Sequence, residues 1–488
     1  MSDLFSICRF PFRMLALAAL LCLNGCDKGE DIENQAPETR ISVEAINLSG
    51  ENRLNSLVEI KWWGTDPDGY VTGYEFSFDG INWHYTLGQD STFRFAITEG
   101  SDTIDIDFWV RSIDDQDTRD DSPAYLKIPL KNTAPEVTFL NDLIPSDTVF
   151  NLLTIAWKAT DLDGFSSIKS VEIRLNNGAW LSFSPRMLEE GVELGSIIPI
   201  DPNANGNASA HFYSEMGDLI GTLESLEIMG MNDLFIRVVD LAGSISLEDT
   251  LAQFYFKGKS SEMLLIGTSS ENPNAFYHSN LNLIGADFDF IDMARDGRKN
   301  QPKIWNPYVE LLLSQYEKVV LFCKDDLVTN AQTNQDDIFL EFAAAGIQTY
   351  VNDGGKIWII SSLPNLHSPT SVLYGILPMD SLSSSPLPSQ ARLPIDSLAE
   401  GLNGFPDLTS NALITIDPFY VSSDAEVIYT AQLTKSLGWY GPEDGCIGAR
   451  RKIGGQTSMV FMSVDLHKLN KNSAATQALF DKVINQEF

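Results

Sequence analysis

The segment IKWWGTDPDG, Ile60–Gly69, returns further along the chain as IAWKATDLDG, Ile155–Gly164. The likeness extends both ways. NQAPETRISV from Asn34 matches NTAPEVTFLN from Asn132, DGINW ending at Trp83 matches NNGAW ending at Trp180, and FWVRSID (Phe108–Asp114) matches LFIRVVD (Leu234–Asp240). The same blocks in the same order, with an insertion in the second copy, identify an internal duplication.

Each copy is patterned as strands. In TIDIDFWVR, Ile104, Ile106, Phe108 and Val110 fall on one side and Asp105, Asp107 and Arg111 on the other. That period of two predicts half-buried strands of an antiparallel sheet. The DG and NG pairs suit tight hairpins, and Trp62 and Trp157 occupy the second-strand position, at the centre of a sandwich. With these cues, Pro37 to about Phe256 resembles fibronectin type III and related immunoglobulin-like domains. The expected boundaries are 37–131 for the first β-sandwich and 132–257 for the second.

The D-x-D-G turns carry Asp66 and Asp68 in one copy and Asp161 and Asp163 in the other. In a sandwich of this topology they approach Asp114, Asp115 and Asp117, and Asp240, at the same end. Two readings follow. Converging carboxylates suit calcium, which takes six to eight oxygens. The same side chains also cap their own turns, with Gly69 and Gly164 supplying permissive backbone.

From Met263 the rhythm changes. MLLIGT, DFDFIDM, KVVLFC and KIWIIS read as short buried strands, and TSMVFMSVD (Thr457–Asp465) as a late one. Between them Val309, Leu312, Leu313 and Tyr316 share a helical face, and Phe339, Phe342, Gly346 and Tyr350 mark a helix that Gly354 ends. Leu479, Phe480, Val483 and Ile484 line a closing helix, while DSLSSSPLPSQARLP from Asp380 reads as an irregular excursion. Alternation of this kind predicts a mostly parallel sheet covered on both faces. YVNDGGKIWIISS together with GGQTSMVFMSVDLHKL resembles the class I glutamine-amidotransferase-like fold over residues 262–488, a flavodoxin-like α/β arrangement. The expected whole is two antiparallel β-sandwiches followed by this α/β domain.

The resemblance implies a reactive cysteine at the elbow after KIWIIS and a histidine–acid pair after the late strand. Here Ser361 and Ser362 stand at the elbow, and Asp465 and His467 follow the late strand. A triad of Ser361, His467 and Asp465 would need a base within hydrogen-bond reach and a third group orienting it. Asp465 and His467 are two residues apart, no glycine-rich stretch suggests an oxyanion hole, and G-x-S-x-G is absent. The opposing reading has the serines capping a turn and His467 on the surface. Gly267-Thr268-Ser269-Ser270 would offer amides to an anion or form an ordinary strand-to-helix turn.

The 67 acidic and 33 basic residues leave a formal charge of −34, which repels nucleic acid. At the N-terminus, Arg9 and Arg13 precede the apolar run MLALAALLCL, too short for a stable bilayer span and suited to a signal peptide over 1–25. LNGC (Leu23–Cys26) resembles a bacterial lipobox, which implies lipidation of Cys26; an ordinary secretory signal with an incidental cysteine is the other reading. DKGEDIE, within an acidic tether over 26–36, resembles the surface-export signals of Bacteroidota-type lipoproteins.

Cys323 and Cys446 would form a disulfide in an oxidising compartment if geometry allows. They and 5 scattered histidines do not suit a zinc site. The expected protein is a non-catalytic lipoprotein of the outer membrane, held by its lipid and facing outward or towards the periplasm. Its partners would be envelope proteins or glycans, with no cofactor unless calcium binds. A hydrolase or transferase using the α/β crevice, and a calcium-dependent adhesion protein, are the alternatives.

Overall fold

The computed structural model describes residues 33–43, 57–95, 100–144, 148–186, 191–267, 271–292, 309–323, 327–330, 335–361, 363, 371–382, 391–435, 439 and 444–488. The signal segment, Cys26, most of the acidic tether, Thr268–Ser270 and Ser362 lie outside them. Two compact units divide the chain, Met1–Asn132 and Thr133–Phe488. Among the described residues no helix is long and apolar enough to cross a membrane.

Among the described residues the first unit is a sandwich of seven strands: β1 (Glu38–Val43), β2 (Leu57–Thr65), β3 (Val71–Ser77), β4 (His84–Thr86), β5 (Asp90–Arg94), β6 (Thr103–Asp114) and β7 (Ala124–Lys131). One sheet has the order β1-β2-β5 and the other β4-β3-β6-β7, with antiparallel pairing throughout. Strict alternation builds its core: Val58, Ile60 and Trp62 of β2 meet Tyr74, Phe108 and Val110. The Trp62 indole N–H donates to the Gly88 carbonyl at 3.0 Å.

The second copy repeats this plan and adds to it. Its strands are β8 (Glu136–Phe139), β9 (Thr148–Phe150), β10 (Leu153–Thr160), β11 (Ile168–Leu175), β12 (Leu181–Phe183), β13 (Val192–Pro199), β14 (Gly206–Ser214), β15 (Leu219–Ile228), β16 (Gly230–Asp240) and β17 (Asp249–Lys257). They form sheets β15-β14-β13-β10-β8 and β12-β11-β16-β17-β9. The inserted sequence thus includes the β14–β15 hairpin, which widens one sheet.

A further device recurs in both copies. Trp83 lies 4.0 Å over the Arg111 guanidinium, which pairs with Glu75 at 2.7 Å. Trp180 lies 4.3 Å over Arg237, which pairs with Glu172 at 2.7 Å. Stacking and ion pairing tie the strand after the hairpin turn to the centre of the outer face.

After Lys257 come β18 (Met263–Gly267), α1 (Glu271–Leu283), β19 (Asp289–Asp292), α2 (Val309–Leu313), β20 (Lys318–Cys323), α3 (Ala344–Asn352) and β21 (Lys356–Ser361). Strands β22 (Ala425–Gln432), β23 (Asp444–Ile453) and β24 (Gln456–Met462) and helix α4 (Ser473–Asp481) follow. Five strands run parallel in the order β19-β18-β20-β21-β24. Their continuous apolar runs fit a sheet buried on both faces. Helices α2 and α3 cover one face and α1 and α4 the other. Gly354, at φ +98°, ends α3 and turns the chain into β21.

One expectation needs correction in part. Of the stretch read as an irregular excursion from Asp380, residues 383–390 lie outside the described residues and its ends are strands, Met379–Leu382 and Ala391–Leu393. Beyond it β23 and β22 pair antiparallel alongside β24, and strands Leu398–Gly401 and Leu408–Thr409 carry the sheet further. The boundary at 257–262 also separates two folds without separating two compact units. Phe150, Leu152, Ala156, Leu194 and Ile198 of the second sandwich share one continuous core with α2 and α3. A polar chain crosses the same junction. Asn151 Nδ2 donates to the Tyr316 hydroxyl at 3.2 Å, that hydroxyl donates to Asp289 at 3.1 Å, and Asp289 accepts from the Ser260 amide at 2.9 Å.

Candidate functional site

Open parallel sheets present ligand sites beyond the carboxyl ends of their strands, at the point where strand order reverses. Here that point lies between β18 and β20. Gly267 ends β18, and a side chain there would collide with Asn274 Oδ1 at 2.7 Å and with the Phe322 ring at the same distance. The parallel register sets Cys323 beside Ser361, and Ile360 beside Met462, so Ser463 follows next to Ser361. A row of Cys323, Ser361 and Ser463 thus crosses three neighbouring strand ends.

The row is closed. Cys323 is 5 % exposed, Ser361 1 % and Ser463 0 %. Tyr277 of α1 stacks on Phe322 with ring centroids 3.9 Å apart, and its hydroxyl pKa is pushed up by burial and by the neighbouring Asp465 and Cys323. The hydroxyls of Ser361 and Ser463 have no hydrogen-bond partner among the described residues. Among the described residues Ser361 therefore neither caps a turn nor meets a base.

The proposed triad does not assemble. Asp465 pairs with Lys468 at 2.5 Å, and the half-buried His467 stands in the short turn Leu466–Lys468 with its ring 6.5 Å from Phe276. Burial lowers the His467 pKa; the Asp465 charge opposes this and Lys468 adds to it. No hydrogen bond joins Ser361, His467 and Asp465. The resemblance offered an acid beside the base, but the turn directs Asp465 to the cation three residues on.

Cys323 and Cys446 are not joined to each other. Cys323 lies on β20 and Cys446 on β23, three strand steps apart through β21 and β24. That separation is about 14 Å, twice what a disulfide spans. Burial raises the Cys446 thiol to about 12, and its Sγ donates to the Gly448 carbonyl at 3.3 Å. At the opposite, amino ends of β20 and β21, Gly354 and Gly355 line an acidic hollow of about 480 Å³ with Tyr316, Tyr350 and Lys356. The Lys356 ammonium is held by the Phe488 carbonyl.

The aspartate turns cap themselves. Asp66 accepts from the Asp68 amide at 3.3 Å, and Asp161 accepts from the Asp163 amide at 2.9 Å and from Ser167 at 2.7 Å. Asp68 accepts from the Gln35 amide at 3.1 Å and Asp115 from the Tyr70 amide at 3.5 Å. Asp114 accepts from Thr118 and Asp240 from Ser244, each from the backbone amide four residues on at 2.7 Å. The duplication thus repeats even this loop. Burial opposes ionisation of Asp114, but bonds from Asn34, Thr118 and Gln116 prevail and hold its pKa low. Burial raises Asp161 to about 6, with hydrogen bonds opposing and the charges of Asp163 and Asp240 adding. Among the described residues no three such side chains gather to hold a metal ion. Many of their oxygens accept from amides of their own loops or of neighbouring segments, which is why spacing that suited calcium does not assemble a cage.

No family model matches the chain, and no curated protein does. Its neighbours among solved structures include fibronectin III-like and other β-sandwich domains. The fibronectin(III)-like modules of Clostridium thermocellum CbhA are 14 % identical over 45 % of this chain and 94 % of theirs, with a TM-score of 0.15. A DUF3823 family protein from Bacteroides ovatus is 10 % identical over 46 % of this chain and 99 % of its own, at 0.16. The carbohydrate deacetylase Agd3 is 9 % identical over 46 % of this chain and 32 % of its own, at 0.27. Scores this low make these similarities and no more.

Proposed function

We propose that this protein is a non-catalytic lipoprotein of the bacterial cell envelope. A lipid on Cys26 holds it at the outer membrane, facing the cell exterior, and its β-sandwiches and amidotransferase-like domain serve binding or assembly with envelope proteins or glycans. The observation that supports this reading is the closed strand-end row. Where a flavodoxin-like or amidotransferase-like enzyme would hold reacting groups, Cys323, Ser361 and Ser463 are buried, and among the described residues the two serine hydroxyls have no hydrogen-bond partner. A nucleophile needs both access and a base.

The test treats the full chain with a fluorophosphonate and with iodoacetamide. Ser361 stays unlabelled, and Cys323 and Cys446 react only after unfolding. Stoichiometric labelling of Ser361 in the folded protein would sink the reading. Cys26→Ser is expected to release the protein from the membrane fraction, and protease added to intact cells to remove the wild type.

A further inference from the structure

The duplication contains its own control for one surface. On the outer face of the β4-β3-β6-β7 sheet, Tyr85 pairs with Glu75 and Trp109 with Tyr125. The corresponding pairs of the second copy are Ser182 with Glu172 and Phe235 with Thr250. The Trp–Arg–Glu device is common to both and belongs to the fold. Tyr85 and Tyr125 are not, since the second copy makes the same sheet without them.

The two tyrosines lie in solvent, 61 % and 52 % exposed. The Tyr85 ring lies against the sheet because Gly73 beneath it has no side chain; a Cβ there would stand 2.6 Å from the ring. Trp109 and Tyr125 rings are 5.2 Å apart at 39°, and the Tyr125 hydroxyl donates to Asp107 at 2.5 Å. Between Tyr85 on β4 and Tyr125 on β7 lie three strand spacings, about 14 Å. Aromatic faces therefore stand at both ends of a flat strip, with Trp83 and Trp109 between them.

Charge narrows the occupant. The ionised side chains on the outward positions of these strands are Glu75, Asp105 and Asp107 against Arg111, Lys127 and Lys131. Arg119, from the loop before β7, adds one cation at 3.1 Å from Glu75, so the face stands near balance in a chain whose formal charge is −34. Glu75 pairs with Arg111 at 2.7 Å and Asp105 with Lys127 at 3.6 Å. A face so near balance gives neither a cationic nor an anionic partner a large electrostatic advantage. It offers aromatic faces, whose negative quadrupole attracts the weakly positive C–H groups of a sugar ring, and polar groups beside them for hydroxyls.

We infer that this face of the first sandwich binds an uncharged glycan chain across Tyr85, Trp109 and Tyr125. This rests on the reading of the protein as a binding module and gives that reading a ligand class.

Native electrophoresis of the full chain through gels cast with hydroxyethyl cellulose, galactomannan or soluble starch tests it, with polygalacturonate as the anionic control. At least one neutral polymer slows the wild type and polygalacturonate does not. Y85A/Y125A loses about tenfold or more in affinity while its circular dichroism is unchanged; T250A in the second copy binds as the wild type does. The inference is overturned if no neutral polymer in the panel slows the wild type, or if the double variant is slowed equally. It is also overturned if polygalacturonate binds as well, or if the double variant loses only a co-purifying protein. An unresponsive panel removes the glycan and leaves the binding-module reading standing, whereas Ser361 labelling removes that reading without touching the retardation.

Discussion

Strands β2 and β10 hold the same place in the two copies and meet different surroundings. In β2, inward Val58, Ile60 and Trp62 alternate with Glu59 and Lys61, which pair with each other in solvent at 3.0 Å. The matching outward positions of β10 are Thr154 and Ala156, both 0 % exposed, and Ala156 belongs to the core shared with α2 and α3. One strand obeys the alternation of a half-exposed sheet, and the other is buried on both sides. The inner face specifies the sandwich in each case, while the outer face specifies what the sandwich docks against.

The comparison breaks hardest at Ala156. A156K places an ammonium in that shared core and is expected to cost about 3–5 kcal/mol, read as a fall in the thermal transition of the full chain. A loss under about 1 kcal/mol would mean that the second sandwich is not held against the α/β fold as described. The two buried tryptophans differ more finely. Trp62 donates to Gly88, whereas the Trp157 indole N–H has no acceptor among the described residues. W62F should therefore cost about 1 kcal/mol more than W157F, the net value of one hydrogen bond. Equal losses would remove that distinction.

Acid tests the repeated turns. The folded pKa of Asp161, about 6, lies above the usual carboxylate value, so the fold favours its protonated form. Its stabilising contribution is complete below about pH 3.9 and is lost as the pH rises through about 6. D161N is expected to flatten the dependence of unfolding temperature on pH between those values, and an unchanged profile would locate the titration elsewhere. Smallest is K61A in the first copy. Its exposed pair with Glu59 is worth about 0.5 kcal/mol or less, which chemical denaturation would check directly against A156K.

Much of the architecture was legible because its signals are local. The period of two in TIDIDFWVR and the unbroken apolar runs MLLIG and KIWIIS each report the burial of their own strand. Gly354 ended its helix where a glycine of positive φ would. The site was less legible. The resemblance suggested His467 and Asp465 as a pair and their closeness along the chain argued against it, yet hydrogen bonding in a short turn depends on directions that spacing leaves open, and Lys468 took the carboxylate. The Trp–Arg–Glu device was signalled by the matching of Trp83 with Trp180, but only cross-strand register joins each tryptophan to its arginine.

By itself the sequence determined the duplication, the strand character of both copies, the alternation of strands and helices after Met263, and the strong negative charge. These follow from residue type and short-range period. Only the tertiary structure decided that the second sandwich shares a core with the α/β fold, that Cys323 and Cys446 stand three strands apart, and that the strand-end row is shut. Each depends on which surfaces meet across long stretches of chain, and a buried Ala156 is written with the same letter as an exposed one.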